Sequence, residues 1–359
     1  MLVTFPQMGD LNIPLESLFD KLGIDTLSPP PLTERTLNLG VRYAPESSCL
    51  PFKLVLGNFI EALEEGAEVL MIAGGNGPCR FGHFGELAEE ILKDLGYEFK
   101  LYILEPPISS ILETITELSS DFSWLKALSA LRLAWNKLII IEKLKKYRLQ
   151  LGVGLSRERS RRLDNKYLQL VAEAEANKEL TGIKRKFKSE LNSLVSERDS
   201  ANVKIGLVGD IYTVLEPFAN LDIERRLNQL GAVVNRGVFL SNWIKENLIY
   251  GGLGLNKNRK VNKAARDYLK IGVGGLGLET VGETVLYSHQ DYDGVLQLAP
   301  FGCMPEIVAQ SALTEIEQDL GIPTLTLVVD EHSSAAGVQT RLEAFVDLLQ
   351  RRKQNTISN

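Results

Sequence analysis

The sequence predicts an α/β protein with two Rossmann-like parallel-sheet domains and a helical segment inserted between them. Three observations carry this expectation. At 359 residues the chain is too long for one simple core and suits two α/β domains of roughly 150 residues each. Its first hundred residues, and those from Asn202 onward, alternate short apolar runs with helix-spaced ones, the βαβα rhythm of a parallel sheet covered by helices. Between them, residues 109–201 nearly lack glycine and proline and repeat Leu, Glu, Lys and Arg at helical spacing. The expected division is an N-terminal α/β domain over 1–108, a helical segment over 109–201 and a C-terminal α/β domain over 202–350, followed by a flexible polar tail at 351–359.

The elements follow in order. Leu2–Phe5 reads as a strand and Ile13–Leu22 as a helix closed by Gly23, before the rigid break at Ser28-Pro-Pro-Pro31. Phe52–Leu63 has apolar residues at helical spacing, with Gly66 just past its end. Glu68–Ala73 is a second apolar run, Gly74-Gly-Asn-Gly77 a glycine loop, and Gly85–Leu95 an amphipathic helix stopped by Gly96. In the second half Val203–Val208 is a strand, Gly209-Asp210 its turn, and Ile223–Leu230 a helix ending at Gly231. Gly294–Leu298 with Pro305–Leu320, then Thr324–Val329 with Thr340–Leu349, repeat the unit.

Composition narrows the class. With 44% hydrophobic and 24% charged residues the chain is neither disordered nor a disulfide scaffold, and a net charge of −6 argues against a protein built to grip nucleic acid. No apolar run approaches a bilayer span; the best, near Leu138–Ile141, is interrupted by Glu142 and Lys143. The opening Met-Leu-Val-Thr-Phe-Pro lacks the features of a secretory signal, so a cytoplasmic protein without a membrane partner is expected.

Three cysteines, Cys49, Cys79 and Cys303, make a poor disulfide framework. Cys303 lies between the strand ending at Leu298 and a helix begun by Pro305, a favoured first-turn proline. Cys79 follows the glycine loop, and Cys49 directly precedes the helix that opens at Phe52. All three therefore stand in loops that open a helix, where unsatisfied N–H groups and the helix dipole lower a thiol pKa and favour thiolate, the metal-binding form. Glycine and proline beside them let backbone N–H groups approach an anionic group. A buried structural thiol is the ordinary alternative for any one of them. No Cys-x-x-Cys pairs them, so a shared site requires assembly in three dimensions: zinc would want a fourth ligand such as His83, whereas a [4Fe-4S] cluster can leave one iron open.

Four stretches carry a resemblance over nearly the whole chain. They are the run from Cys49 to Leu63, Gly-Gly-Asn-Gly-Pro-Cys79-Arg-Phe-Gly, Asp293-Gly-Val-Leu-Gln-Leu-Ala-Pro-Phe-Gly-Cys-Met-Pro-Glu306, and Asp330-Glu-His with Gln339-Thr-Arg-Leu-Glu-Ala-Phe345. The chain resembles the acyl-CoA dehydratase activase-related proteins, often titled CoA protein activase. These are relatives of the cysteine-bearing subunits of 2-hydroxyacyl-CoA dehydratase, benzoyl-CoA reductase and the double-cubane cluster protein. The resemblance implies an oxygen-sensitive [4Fe-4S] cluster held by Cys49, Cys79 and Cys303, with one iron open to a small ligand. It implies low-potential electrons from a separate ATP-hydrolysing activase of the actin and sugar-kinase superfamily, used for reduction or dehydration of a small or acyl-CoA substrate. It also implies a homodimer, or a heterodimer with a related subunit. The chain departs from the family pattern at Leu276, where a histidine would be expected.

Further residues are candidates around such a site. Arg80 and His83 would stabilise an anionic cluster or supply a proton, against a surface arginine and a helix-capping histidine. Asp330 and His332 end a strand on the same sheet edge as Cys303 and are the acid/base candidates, with an Asp330–Arg341 ion pair as the plain alternative. Glu46, Glu306, Gly74, Gly75, Gly77 and Gly302 would line or position the cofactor, although a glutamate in a first helical turn also complements the dipole. Gly272-Val-Gly-Gly-Leu-Gly277 matches a dinucleotide fingerprint in letters but not in context, since no clear strand precedes it. Arg157, Arg159, Arg161 and Arg162, with Lys184, Arg185, Lys186 and Lys188, form a basic stretch that is a solvated face or a dock for an acidic partner or the phosphates of CoA. A non-catalytic cluster carrier that docks an activase, and a structural zinc protein, are the rival functions.

Overall fold

A computed structural model of the protein describes residues 1–75, 78–105, 107–120, 122–195, 202–246 and 259–358. The chain forms two compact units, Met1–Leu138 with Trp243–Lys257, and Ile139–Asn242 with Asn258–Asn359. Each is an α/β unit with a purely parallel sheet, as the alternation of strand and helix patterns requires.

Unit 1 contains β1 (Val3–Thr4), α1 (Asn12–Lys21), α2 (Glu34–Tyr43), α3 (Leu50–Glu64), β2 (Val69–Ala73), a 3-10 turn (Arg80–His83), α4 (Phe84–Asp94), β3 (Lys100–Leu104), α5 (Ile108–Leu118) and the first half of α6 (Trp124–Leu151). The strand order is β1-β2-β3, with Val3 opposite Val69 and Val69 opposite Lys100. Helix α3 buries thirteen of its fifteen residues, Leu50 to Ala62. Each fully buried Leu or Phe there contributes about 1.5–3 kcal/mol. Its buried polar groups are satisfied: Asn58 Nδ2 donates to the Pro30 carbonyl (2.8 Å), and Glu61 accepts from Thr36 Oγ1 (2.6 Å) and Arg35 Nη1 (3.2 Å).

Glycine sets how closely α2 meets α3. A Cβ on Gly40 would stand 1.8 Å from the Lys53 carbonyl oxygen, and one on Gly57 would stand 1.9 Å from that of Thr36. The helix that carries Cys49 at its start is thus seated by backbone-to-backbone packing.

Unit 2 contains the rest of α6, α7 (Arg157–Glu173), α8 (Asn177–Leu194), β4 (Lys204–Gly209), α9 (Ile211–Leu215), α10 (Ile223–Gln229), β5 (Val233–Arg236), α11 (Leu240–Ile244, which straddles the boundary between the units), α12 (Arg259–Ala265), α13 (Gly277–Ser288), β6 (Gly294–Pro300), α14 (Met304–Leu320), β7 (Thr324–Val329) and α15 (Ala335–Ser358). The strand order β5-β4-β6-β7 reverses between β4 and β6. In an open parallel sheet the crevice beyond the carboxyl ends of the strands at that reversal is where ligands bind. Strand β6 is buried along its whole length and forms the centre of the core with Val208, Val281, Ala309 and Ile316.

Two expectations change. The division between the units falls inside α6, between Leu138 and Ile139, not at 108 and 201. The residues read as a loose tail extend α15 to Ser358: Lys353 Nζ donates to the Asn202 carbonyl (2.9 Å) and to Asp293 Oδ2 (3.1 Å), which ties that stretch to the start of β4. Among the described residues no helix is long and apolar enough to cross a membrane.

Candidate functional site

Each cysteine is the N-cap residue of a helical element: Cys49 of α3, Cys79 of the 3-10 turn and Cys303 of α14. All three have extended backbone, and none uses its side chain to cap the helix. They are thiols rather than disulfides; Cys49 and Cys79 are half-buried and Cys303 is buried. Cys49 and Cys79 belong to unit 1, Cys303 to unit 2.

Unit 1 binds its two cysteine loops to one another. Arg80 Nη1 donates to the Ser47 carbonyl at 2.8 Å, joining the residue after Cys79 to the turn before Cys49. Phe52 and Phe84 meet edge-on at 5.0 Å between ring centroids, and Phe81 and Phe84 at 5.3 Å, so aromatic packing joins the starts of α3, the 3-10 turn and α4. The glycine loop hangs from the sheet by the Gly74 N–H, which donates to the Leu104 carbonyl (3.0 Å). A Cβ on Gly74 would strike Glu105 and Ile103 at 2.5 Å, and one on Gly82 would strike the Gly75 carbonyl at 2.0 Å, whereas Gly75 itself faces open space. Gly77 lies outside the described residues. His83 and Glu46 are exposed; His83 precedes α4 without a capping hydrogen bond, and Glu46 sits in the turn closed by Ser48 N–H to the Pro45 carbonyl.

Unit 2 places Cys303 beyond the carboxyl end of β6. Gly302 takes φ +75°, the Cys303 N–H donates to the Pro300 carbonyl (2.9 Å), and the Phe301 N–H donates to Val329 (2.8 Å), extending the β6–β7 ladder. Phe301, Met304 and Ile307 around it are exposed. The glycine-rich loop ends against the same helix start, because a Cβ on Gly277 would lie 2.6 Å from the Pro305 carbonyl. Leu276 is the buried N-cap of α13, and no strand feeds this loop, which rules out a dinucleotide fingerprint there.

Glu306, in the first turn of α14, is completely buried. Its carboxylate accepts from Gln297 Nε2 (2.9 Å) and Thr280 Oγ1 (3.1 Å), and Gln297 accepts from Thr326 Oγ1 (2.7 Å). Burial pushes the Glu306 carboxyl up to about 8 against the Gln297 hydrogen bond, and the nearby Asp210 charge pushes the same way. It is therefore a proton-holding group at the edge of the switch-point crevice and not a solvent-facing partner of the helix dipole. Asp210, the N-cap of α9 after β4, accepts from the Thr213 N–H and Oγ1, and burial raises its carboxyl as well.

Asp330 and His332 occupy the turn after β7. Asp330 Oδ1 accepts from the His332 N–H (3.0 Å) and Ser333 Oγ (2.9 Å), so its carboxylate organises this turn instead of pairing with Arg341. Asp330 is half-buried and His332 exposed. The basic stretch divides: Arg162 pairs with Glu158 on a solvated face, whereas Arg157 and Arg161 both reach the buried Asp222.

The network of Gln297, Thr280 and Thr326 was not anticipated, although a glutamine inside the apolar run Gly294–Leu298 is the signal that marks it. Among the described residues, no three His, Cys, Asp or Glu side chains stand together as a metal ion requires. Compared with known protein families and with curated proteins, the chain matches none.

Proposed function

We propose that this chain is an iron–sulfur protein related to the cysteine-bearing subunits of 2-hydroxyacyl-CoA dehydratases, with Cys49, Cys79 and Cys303 as the ligands of a [4Fe-4S] cluster. The observation that carries the reading is that every cysteine in the sequence is an N-cap, each at a helix start whose N–H groups favour thiolate. The donor set fits: three thiolates satisfy three irons and leave the fourth open. When bound, the cluster supplies low-potential electron transfer to a small or acyl-CoA substrate.

The protein's own residues have separate tasks in this reading. Arg80, fixed to Ser47, keeps the loops of Cys49 and Cys79 in register and adds positive charge beside an anionic group. Glu306 holds a proton near Cys303 under the control of Gln297 and Thr280. Gly74, Gly75 and Gly302 keep side chains clear of the loops. His83, Glu46, Asp330 and His332 are the remaining candidates for proton transfer or substrate contact. An ATP-hydrolysing activase would be the electron donor, and a second copy or a related subunit the partner.

Anaerobic purification followed by iron and acid-labile sulfide analysis tests the proposal. A brown protein with about four irons and four sulfides per cluster supports it. Colourless protein, or stoichiometric zinc, contradicts it and favours a structural metal protein.

A further inference from the structure

Unit 2 holds a cluster of guanidinium groups that the iron–sulfur reading does not use. Arg148, Arg157, Arg161, Arg225, Arg226 and Arg236 gather around only three carboxylates, Asp164, Asp222 and Glu224. The inner part is balanced: Glu224 meets Arg148 (2.7 Å) and Arg236 (3.1 Å), and Asp164 meets Arg225 (2.6 Å). The outer part is not. Asp222 alone answers Arg157 (2.7 Å), Arg161 (3.2 Å) and Arg225 (2.7 Å).

Arg226 has only neutral acceptors, donating Nε to the Leu221 carbonyl (2.7 Å) and Nη1 to Gln339 Oε1 (2.9 Å). Burial lowers its pKa, and the charges of Arg157 and Arg161 lower it further, so the local surplus is positive despite Asp222. The backbone that presents this group is held in an unusual shape: Leu221 and Asp222 take φ +57° and +61°, a left-handed pair at residues with side chains. The side chains of Arg157 and Arg161 are 37% and 53% exposed, so the surplus reaches solvent. Helices α10 and α15 both begin on the side where the strands end, the ligand-binding edge of an open parallel sheet.

We propose that Arg157, Arg161 and Arg226 form a site for a phosphate-bearing small molecule. A guanidinium has five N–H donors in a rigid fork. Arg157 and Arg161 each spend one on Asp222, and Arg226 spends two on Leu221 and Gln339, leaving donors anchored in place for phosphoryl oxygens. Three converging forks with a surplus of more than one positive charge match a multiply charged phosphoryl group better than a single carboxylate.

Calorimetric titration of the whole protein with inorganic pyrophosphate tests the site. Saturable binding, weakened about ten-fold in Arg161→Gln and in Arg226→Gln, is the expected result. Arg161→Gln alters a half-exposed side chain and should leave the melting temperature unchanged, which separates lost binding from lost folding. Absence of saturable binding, binding that survives both substitutions, or an equal response to sulfate at matched ionic strength overturns the proposal. Binding of polyglutamate without pyrophosphate also overturns it and assigns the face to an acidic protein. The titration needs no iron, so its failure and a failure of the cluster reading are separate results.

Discussion

The Arg80 guanidinium donates to the Ser47 carbonyl at 2.8 Å, across thirty-three positions of sequence, and so joins two of the three cysteine loops. The bond is exposed, and a typical net hydrogen bond is worth about 0.5–1.5 kcal/mol. Arg80→Ala should therefore lower the melting temperature only slightly, while hydrogen exchange at the Ser48 amide, which donates to Pro45, becomes faster. Unchanged exchange across residues 45–49 would mean that Arg80 does not hold the turn.

Glu306 gives a stability term with a definite sign. Its folded-state carboxyl lies at about 8 and the unfolded one near 4.5, so the native state binds the extra proton between those values. Stability should fall as pH rises through this window, by an amount on the order of a few kcal/mol at the top. Glu306→Gln keeps the shape and removes the titration, so urea melts should show the variant gaining on the wild type from pH 5 to pH 8. Parallel pH profiles would contradict the assignment.

The buried network around Glu224 predicts the opposite slope. Burial works against its charge, yet Arg236 and Arg148 hold its carboxyl below the usual value. That stability is present at neutral pH and is lost as pH falls through the carboxylate range. Arg148→Ala leaves Glu224 and Asp164 each short of a partner and should cost about 3–5 kcal/mol in denaturant unfolding at pH 7. The penalty should shrink towards pH 4.

Gly57→Ala should damage unit 1 more than a one-methyl change normally would. The added carbon would stand 1.9 Å from the Thr36 carbonyl oxygen, which cannot yield without separating α2 from α3. Thr36 is itself fully buried and tied to Glu61. Loss of soluble folded protein, or a drop of several degrees in melting temperature, is expected. A neutral result would show that α2 and α3 can shift apart.

Much of this architecture is legible in sequence, because residues that punctuate helices do so for local reasons. Pro305 opens α14, Gly321 closes it at φ +68°, and β7 spans the expected Thr324–Val329. What escaped depends on partners distant in sequence. Helix α2 carries Gly40 in its interior, a helix-weakening residue that makes sense only against Lys53. Strand β5 has four residues and ends in Arg236, a charge tolerated because Glu224 meets it. The polar end of α15 reads as loose until Asn202 and Asp293 supply acceptors for Lys353. At the candidate site the helix-opening cysteines were visible from glycine and proline alone, while the burial of Glu306 required α13 and β6 to close over it.

The most direct measurement is iron and acid-labile sulfide per chain in anaerobically prepared wild type and in Cys49→Ser, Cys79→Ser and Cys303→Ser. The account predicts a wild-type protein with a full cluster complement and a large loss of iron and sulfide in each of the three variants. Iron content that is absent from the wild type, or that stays unchanged when any one of the three cysteines is replaced, would contradict it.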